Sequence, residues 1–174
     1  MAVVVDATIG GVSANSYVTK AEFDTYLATR LHNSTAVTGA TTDTINRAIV
    51  TAARLLDNNF AWDEDSWPTY YETQRLQCPR IGLYDALGDE IDNDVIPEAW
   101  KNANCEFAVY LIDKDPTAEL SEEGLESLSV GSISLGFSSI APKKRKVIPD
   151  AVFEMIQIWG TRRGDSHVIK LTRA

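Results

Sequence analysis

Two histidines, His32 and His167, are all the imidazole this 174-residue chain holds. One falls in a polar connector and the other near the C-terminal end, so neither a His-centred triad nor a histidine metal site can be assembled from them. The serines Ser129, Ser132, Ser134, Ser138 and Ser139 alternate with apolar residues, as on a half-exposed strand, and none sits in a nucleophile elbow. Asp85, Asp89, Glu90, Asp92 and Asp94 are dense enough for a calcium loop but lack its alternating oxygens followed by glycine, so a solvated loop is the simpler reading. Gly10-Gly11 is not followed by Lys-Ser/Thr, and Gly160 to Gly164 closes a helical pattern instead of opening one, so no phosphate-cradling loop is present. Cys78 and Cys105 are too few for a disulfide framework and are not spaced as paired metal ligands, which suits a reducing compartment. The expectation is a protein without catalytic residues, cofactor or metal.

What remains is the chemistry of contact. Net charge is -9 and the isoelectric point about 4.7, so phosphate backbone is repelled over most of the surface. Acidic residues gather at 63–65, 85–94 and 113–126, while Lys143-Lys144-Arg145-Lys146 and the last fourteen residues are basic. The lysine-rich run reads either as a nucleic-acid patch or, more simply, as a solvated linker. Trp62, Trp67, Tyr70, Tyr71 and Trp100 could stack on bases, yet at these spacings they read as anchors holding a loop to the core or as interface residues. In the tail, Arg162, Arg163, Lys170 and Arg173 surround Val168, Ile169 and Leu171, opposed only by Asp165. That composition fits either an unstructured end or a segment that orders on a partner, by strand addition or by seating apolar residues while its cations meet carboxylates.

The elements that must position these residues are mostly helical. Thr19 and Glu22 form a capping box, followed by Phe23, Tyr26, Leu27 and Leu31 at helical spacing. A polar linker runs from His32 to about Thr42. Ile45, Ala48, Ile49, Ala52, Ala53, Leu56 and Phe60 then predict a core helix, capped by Thr41, Thr42 or Asp43. Residues 61–95 read as a long structured loop, with room for a helical turn or two over 70–76. Pro97 predicts the first residue of a helix reaching about Asp113, with Trp100, Ala103, Phe107, Ala108 and Leu111 on one face. Residues 127–140 alternate as strands, with the phase shifting across Gly131-Ser132. Pro149 opens a last helix carrying Val152, Phe153, Ile156 and Trp159, closed by Gly160. The fold class is therefore mainly α. About four helices form a small bundle (residues 1–160) with an inserted strand or hairpin element over about 127–140, and an extended tail follows at 161–174. No stretch approaches the roughly 20 apolar residues of a membrane-spanning helix, and residues 1–11 lack the basic start and apolar run of a signal peptide.

Asn15-Ser16-Tyr17-Val18-Thr19 with Ala21-Glu22 and Tyr26, then Pro79-Arg80-Ile81-Gly82, Tyr84-Asp85, Gly88, Ile91, Asp94-Val95-Ile96-Pro97, Ala99 and Glu106, follow one another in a distinctive order. With Val130-Gly131-Ser132-Ile133-Ser134 and the Pro149 helix, this order resembles the phage head-to-tail connector (adaptor, head completion) family, often labelled DnaT-like single-stranded-DNA-binding proteins. The resemblance covers most of residues 14–160. Cys78 departs from it, standing where similar proteins commonly carry tryptophan, and the segment beyond Gly160 has no counterpart.

The resemblance implies a virion protein, made in the host cytoplasm, that forms a homo-oligomeric ring, a dodecamer in similar proteins. That ring would sit at the neck between the portal protein and the tail or nozzle proteins, with genomic DNA passing through without sequence-specific binding. On that footing Arg162, Arg163, Val168, Ile169, Lys170, Leu171 and Arg173 are candidates for contact with the portal or a neighbouring subunit. Ile133, Leu135 and Phe137 are candidates for ring or tail contacts. The alternative is a single-stranded-DNA-binding accessory protein of phage replication, built on Lys143–Lys146 and the loop aromatics.

Overall fold

The computed structural model describes residues 2–70, 72–116, 127–130, 133–136 and 146–163. Helix α1 (Lys20–Thr29) opens on the expected capping box: the Thr19 hydroxyl accepts from the Glu22 N–H, and the Glu22 carboxylate accepts from the Thr19 N–H at 2.7 Å. It stops before Leu31, which is 89% exposed and takes no part in the stripe that Phe23 anchors. The connector holds one turn that the sequence reading missed, α2 (Thr35–Thr38), capped by Ser34 and burying Val37. One buried apolar residue in four is too short a signal to show a period.

Helix α3 (Thr42–Asn59), capped by Thr41, buries Ile45, Ala48, Ile49, Ala52, Ala53 and Leu56. Helix α4 (Glu98–Asp113) lies against it and buries Trp100, Ala103, Asn104, Phe107 and Ala108; Pro97 sits at the cap, one position before the helix proper. The alanines on both faces let the two backbones approach closely, and the large rings fill the ends of the interface. Trp100 packs on Trp62 with ring centres 4.4 Å apart, while Phe60 meets both edge-on.

Between these helices the chain forms β1 (Phe60–Trp62), β2 (Trp67–Pro68) and β3 (Arg80–Ile81). β2 and β3 pair antiparallel with Trp67 opposite Ile81. Among the described residues of 70–76 there is a turn and no helix, with the Thr73 and Gln74 N–H groups donating to the Tyr70 carbonyl; Tyr71 lies outside the described residues. After α4, β4 (Ser127–Val130) and β5 (Ile133–Gly136) pair antiparallel, and the reversal between Val130 and Ile133 falls where the apolar phase shifts.

The last helix, α5 (Asp150–Glu154), is shorter than its stripe. The chain tightens into a 3-10 turn at Gln157–Trp159 and then extends as β6 (Gly160–Arg162), antiparallel to β1. Val152, Ile156 and Trp159 stay buried through that change, and the Trp159 indole N–H donates to the Tyr84 carbonyl at 2.7 Å. Gly160 closes the helical segment as expected, but its small size serves close packing. A Cβ there would run into the Ala61 carbonyl oxygen across the ribbon.

Two polar contacts inside the body tie these pieces together. Asn104, fully buried, accepts from the Tyr17 N–H at 3.2 Å and donates to the Ile49 carbonyl at 3.1 Å, joining the N-terminal arm, α3 and α4. The Tyr17 hydroxyl donates to Asp57 and accepts from the Cys78 N–H, while the Gln77 N–H donates to the other Asp57 oxygen. Removing the Asn104 amide orphans a buried N–H and loses a carbonyl bond. Asn104→Leu should therefore lower stability by roughly 2–4 kcal/mol, read as the shift of the urea midpoint; an unchanged midpoint would contradict the role given to it.

Burial pushes the Asp57 carboxyl up to about 6, outweighing the hydrogen bonds from Tyr17 and Gln77. Because the folded value lies above the unfolded one, this group's stabilisation is fully present below about pH 4 and is lost as pH rises through about 6. Relative to Asp57→Asn, the wild-type chain should gain roughly 1–3 kcal/mol between pH 7 and pH 4.5. Parallel stability curves for the two would refute the assignment.

Candidate functional site

The densest polar chemistry lies around Asp57, and it is built for fastening. Arg80, 6% exposed, donates to the Ser66 hydroxyl at 3.0 Å and to the Ser66 and Gln77 carbonyls, with its guanidinium 4.9 Å from the Trp62 ring centre. It thereby staples β3 to the β1–β2 turn. The Cys78 thiol is pushed well up, by burial and then by the Asp57 charge, and Tyr17 is raised by the same two causes. A buried, protonated thiol is the opposite of an activated nucleophile.

An open groove of about 480 Å³ between α1 and α4 is no better supplied. Its Cys105 thiol is pushed up to about 12 by burial and by Glu22, Glu98 and Glu106. Glu22 is engaged with Lys101 at 3.1 Å, and the Tyr26 hydroxyl donates to Glu106 at 2.8 Å. Among the described residues no group of three or more His, Cys, Asp or Glu is placed to hold a metal ion. His32 is exposed, and His167 lies outside the described residues.

Charge is distributed with more purpose. Lys20, Arg30, Arg47, Lys101, Lys146 and Arg162 all form ion pairs within the body. By contrast, Asp63, Glu64, Asp65, Asp85, Asp89, Glu90, Asp92 and Asp94 meet no described cation in an ion pair. These carboxylates share the loop between α3 and α4 with exposed apolar groups: Trp67 is 65% exposed, Tyr84 53% and Leu87 88%. The sequence reading counted Trp67 and Tyr70 among residues anchoring the loop; Trp62 and Trp100 reach the core, whereas Trp67 faces solvent and Tyr70, 41% exposed, lays its ring against Gly10. Nothing in the local pattern separates the two pairs; cross-chain packing decides it.

The predicted contact residues divide into three groups. Ile133 and Leu135 stand on β5 opposite Val130 and Leu128 in register, whereas Phe137 lies outside the described residues. Arg162 and Arg163 were assigned to a tail beginning at 161, but the structure seats them on the body. Arg162 is 9% exposed, pairs with Asp150 at 2.6 Å and covers the Phe153 ring. Arg163 donates from its backbone to the Asn59 carbonyl at 2.8 Å and from Nε to the Phe60 carbonyl at 3.0 Å. Strand pairing of β6 with β1 moves the end of the body from 160 to 163. Val168, Ile169, Lys170, Leu171 and Arg173, like Lys143, Lys144 and Arg145, lie outside the described residues.

No curated protein and no solved structure matches the chain. The family model described as "Putative DnaT-like ssDNA binding protein" matches residues 1–174, so the chain belongs to that family.

Proposed function

We propose that the chain is a structural virion protein, one subunit of a ring that binds a phage portal, connects capsid to tail and forms part of the DNA conduit. The observation that carries this reading is electrostatic. Six cations of the described body form internal ion pairs, while nine carboxylates between residues 63 and 94, Glu72 among them, meet no described cation in an ion pair. Such a surface gives passing DNA little to hold. The order of segments along residues 14–160 supports the same reading. In this arrangement Ile133 and Leu135 on the hairpin, with Phe137 following it in sequence, make ring or tail-side contacts, and the segment from Val168 to Arg173 docks on the portal or a neighbouring subunit.

The family's description favours a second reading, a single-stranded-DNA-binding accessory protein of phage replication. It would have to draw on Lys143, Lys144 and Arg145 with the exposed rings of Trp67 and Tyr70. Trp100 is buried and Trp62 is covered by Trp100 and Phe60, so neither is free to stack on a base.

Fluorescence anisotropy of labelled single-stranded oligonucleotides across a salt series separates the two. The ring reading predicts binding no tighter than the non-specific range, about 10⁻⁴ M at physiological salt. Tight binding that falls steeply with salt would favour the replication reading. Removing residues 164–174, which leaves the β1–β6 ribbon intact, should preserve the circular dichroism spectrum and abolish head-to-tail joining; retained joining would sink the docking role.

A further inference from the structure

A hollow of about 170 Å³ opens where the loop after β1 meets the 3-10 turn after α5. Leu83, Tyr84, Ile158 and Trp159 line it, with Asp63 and Asp65 at its rim. Tyr84 and Ile158 are half exposed, and neither carboxylate meets a described cation. The walls are held in place: the Asp63 N–H donates to the Trp159 carbonyl at 3.0 Å, and the Ser66 N–H to the Asp63 carbonyl at 3.2 Å. Gly82 takes φ +78°, which brings its backbone so close to the Asp65 carbonyl that a Cβ would lie 2.7 Å from it. The hollow is thus preformed, apolar inside and anionic at the edge, and an occupant needs little reorganisation on its side.

We infer that this hollow receives residues 164–174 of a second copy of the chain. The inference rests on the ring-subunit reading above and names one contact within it. In an extended strand Ile169, Leu171 and Arg173 fall on one face, because side chains alternate. Two aliphatic groups followed by a cation match an apolar hollow with carboxylates at its rim. Geometry favours a neighbour's segment over the chain's own. β6 runs antiparallel to β1, from Gly160 beside Trp62 to Arg162 beside Phe60, and Arg163 is pinned to Asn59 and Phe60. The chain therefore leaves the body heading away from Asp63 and Trp159, where its own hollow lies. A donor segment and an acceptor hollow at opposite ends of one ribbon make a head-to-tail contact, the kind that generates rings.

The test mixes isotope-labelled and unlabelled full-length chains in equal amounts and treats them with a carbodiimide, which joins a carboxylate to an amine with no spacer. In the Arg173→Lys variant, mass spectrometry should find position 173 joined to Asp63 or Asp65 in labelled–unlabelled pairs, and those links should vanish when Asp63→Asn/Asp65→Asn is added. Ile158→Ser, at an exposed position, should keep the fold by circular dichroism and weaken self-association about tenfold in sedimentation, as loss of about 1.4 kcal/mol would. Links confined to same-label pairs would mean that the chain binds its own end and would overturn the proposal. So would the absence of these links when other cross-links form. Mixed-label links from a protein absent from the virion neck would leave this contact standing and remove only the ring-at-the-neck reading.

Discussion

The side chain of Asn104 sets the constraint on which the rest of the body depends. It is fully buried between α3 and α4, where an unpaired amide would be costly, so the Tyr17 N–H and the Ile49 carbonyl must both be brought to it. That fixes the register of the two helices and draws the N-terminal arm across them. The arm is then held along its length: Asn15 donates to the Val4 carbonyl and accepts from Asp6, and Asn46 of α3 donates to the Val3 carbonyl. Tyr17 carries the constraint onward, because its hydroxyl reaches Asp57 and the backbone of Cys78. Through that one tyrosine the loop between α3 and α4 is fastened to the same helix pair that forms the core.

This fastening explains how a long irregular segment can present apolar groups to solvent without collapsing onto itself. Arg80 is spent on Ser66, Gln77 and the Trp62 ring, leaving the carboxylates from Asp63 to Asp94 without a described cation in an ion pair. The side chains that hold the loop are turned inward, and those exposed are largely carboxylates and apolar groups such as Trp67, Tyr84 and Leu87. On the proposed reading this charge and shape suit a cationic, apolar partner, whereas the family's description names single-stranded DNA.

Helix positions were legible in the sequence wherever a cap and a sustained apolar period agreed, as at Thr19–Glu22 and along Ile45 to Leu56. They were less legible where tertiary contacts override a local pattern. The stripe Val152, Phe153, Ile156 and Trp159 is real, yet α5 ends at Glu154, because the 3-10 turn carries Trp159 to the Tyr84 carbonyl and Gly160 onto Ala61. The short ribbon of β1 and β6 joins residues about a hundred positions apart, and three residues per strand are too few to show a period of two. For the same reason Arg162 reads as tail when it is strand, and Arg163, just past it, is held to Asn59 and Phe60. The hollow beside Asp63 and Trp159 draws on three separated segments and leaves no local trace.

The central claim is that this acidic, internally ion-paired body works as one subunit of a ring at the head-to-tail junction. Cryo-electron microscopy of virions, or of portal complexes reconstituted with the full chain, tests it most directly. The account predicts density for the helical body repeated in a ring beneath the portal, with the acidic loop of one copy beside the C-terminal segment of the next. Virions whose neck lacks the chain, together with salt-sensitive binding of single-stranded DNA by the free protein, would contradict it and establish the replication role instead.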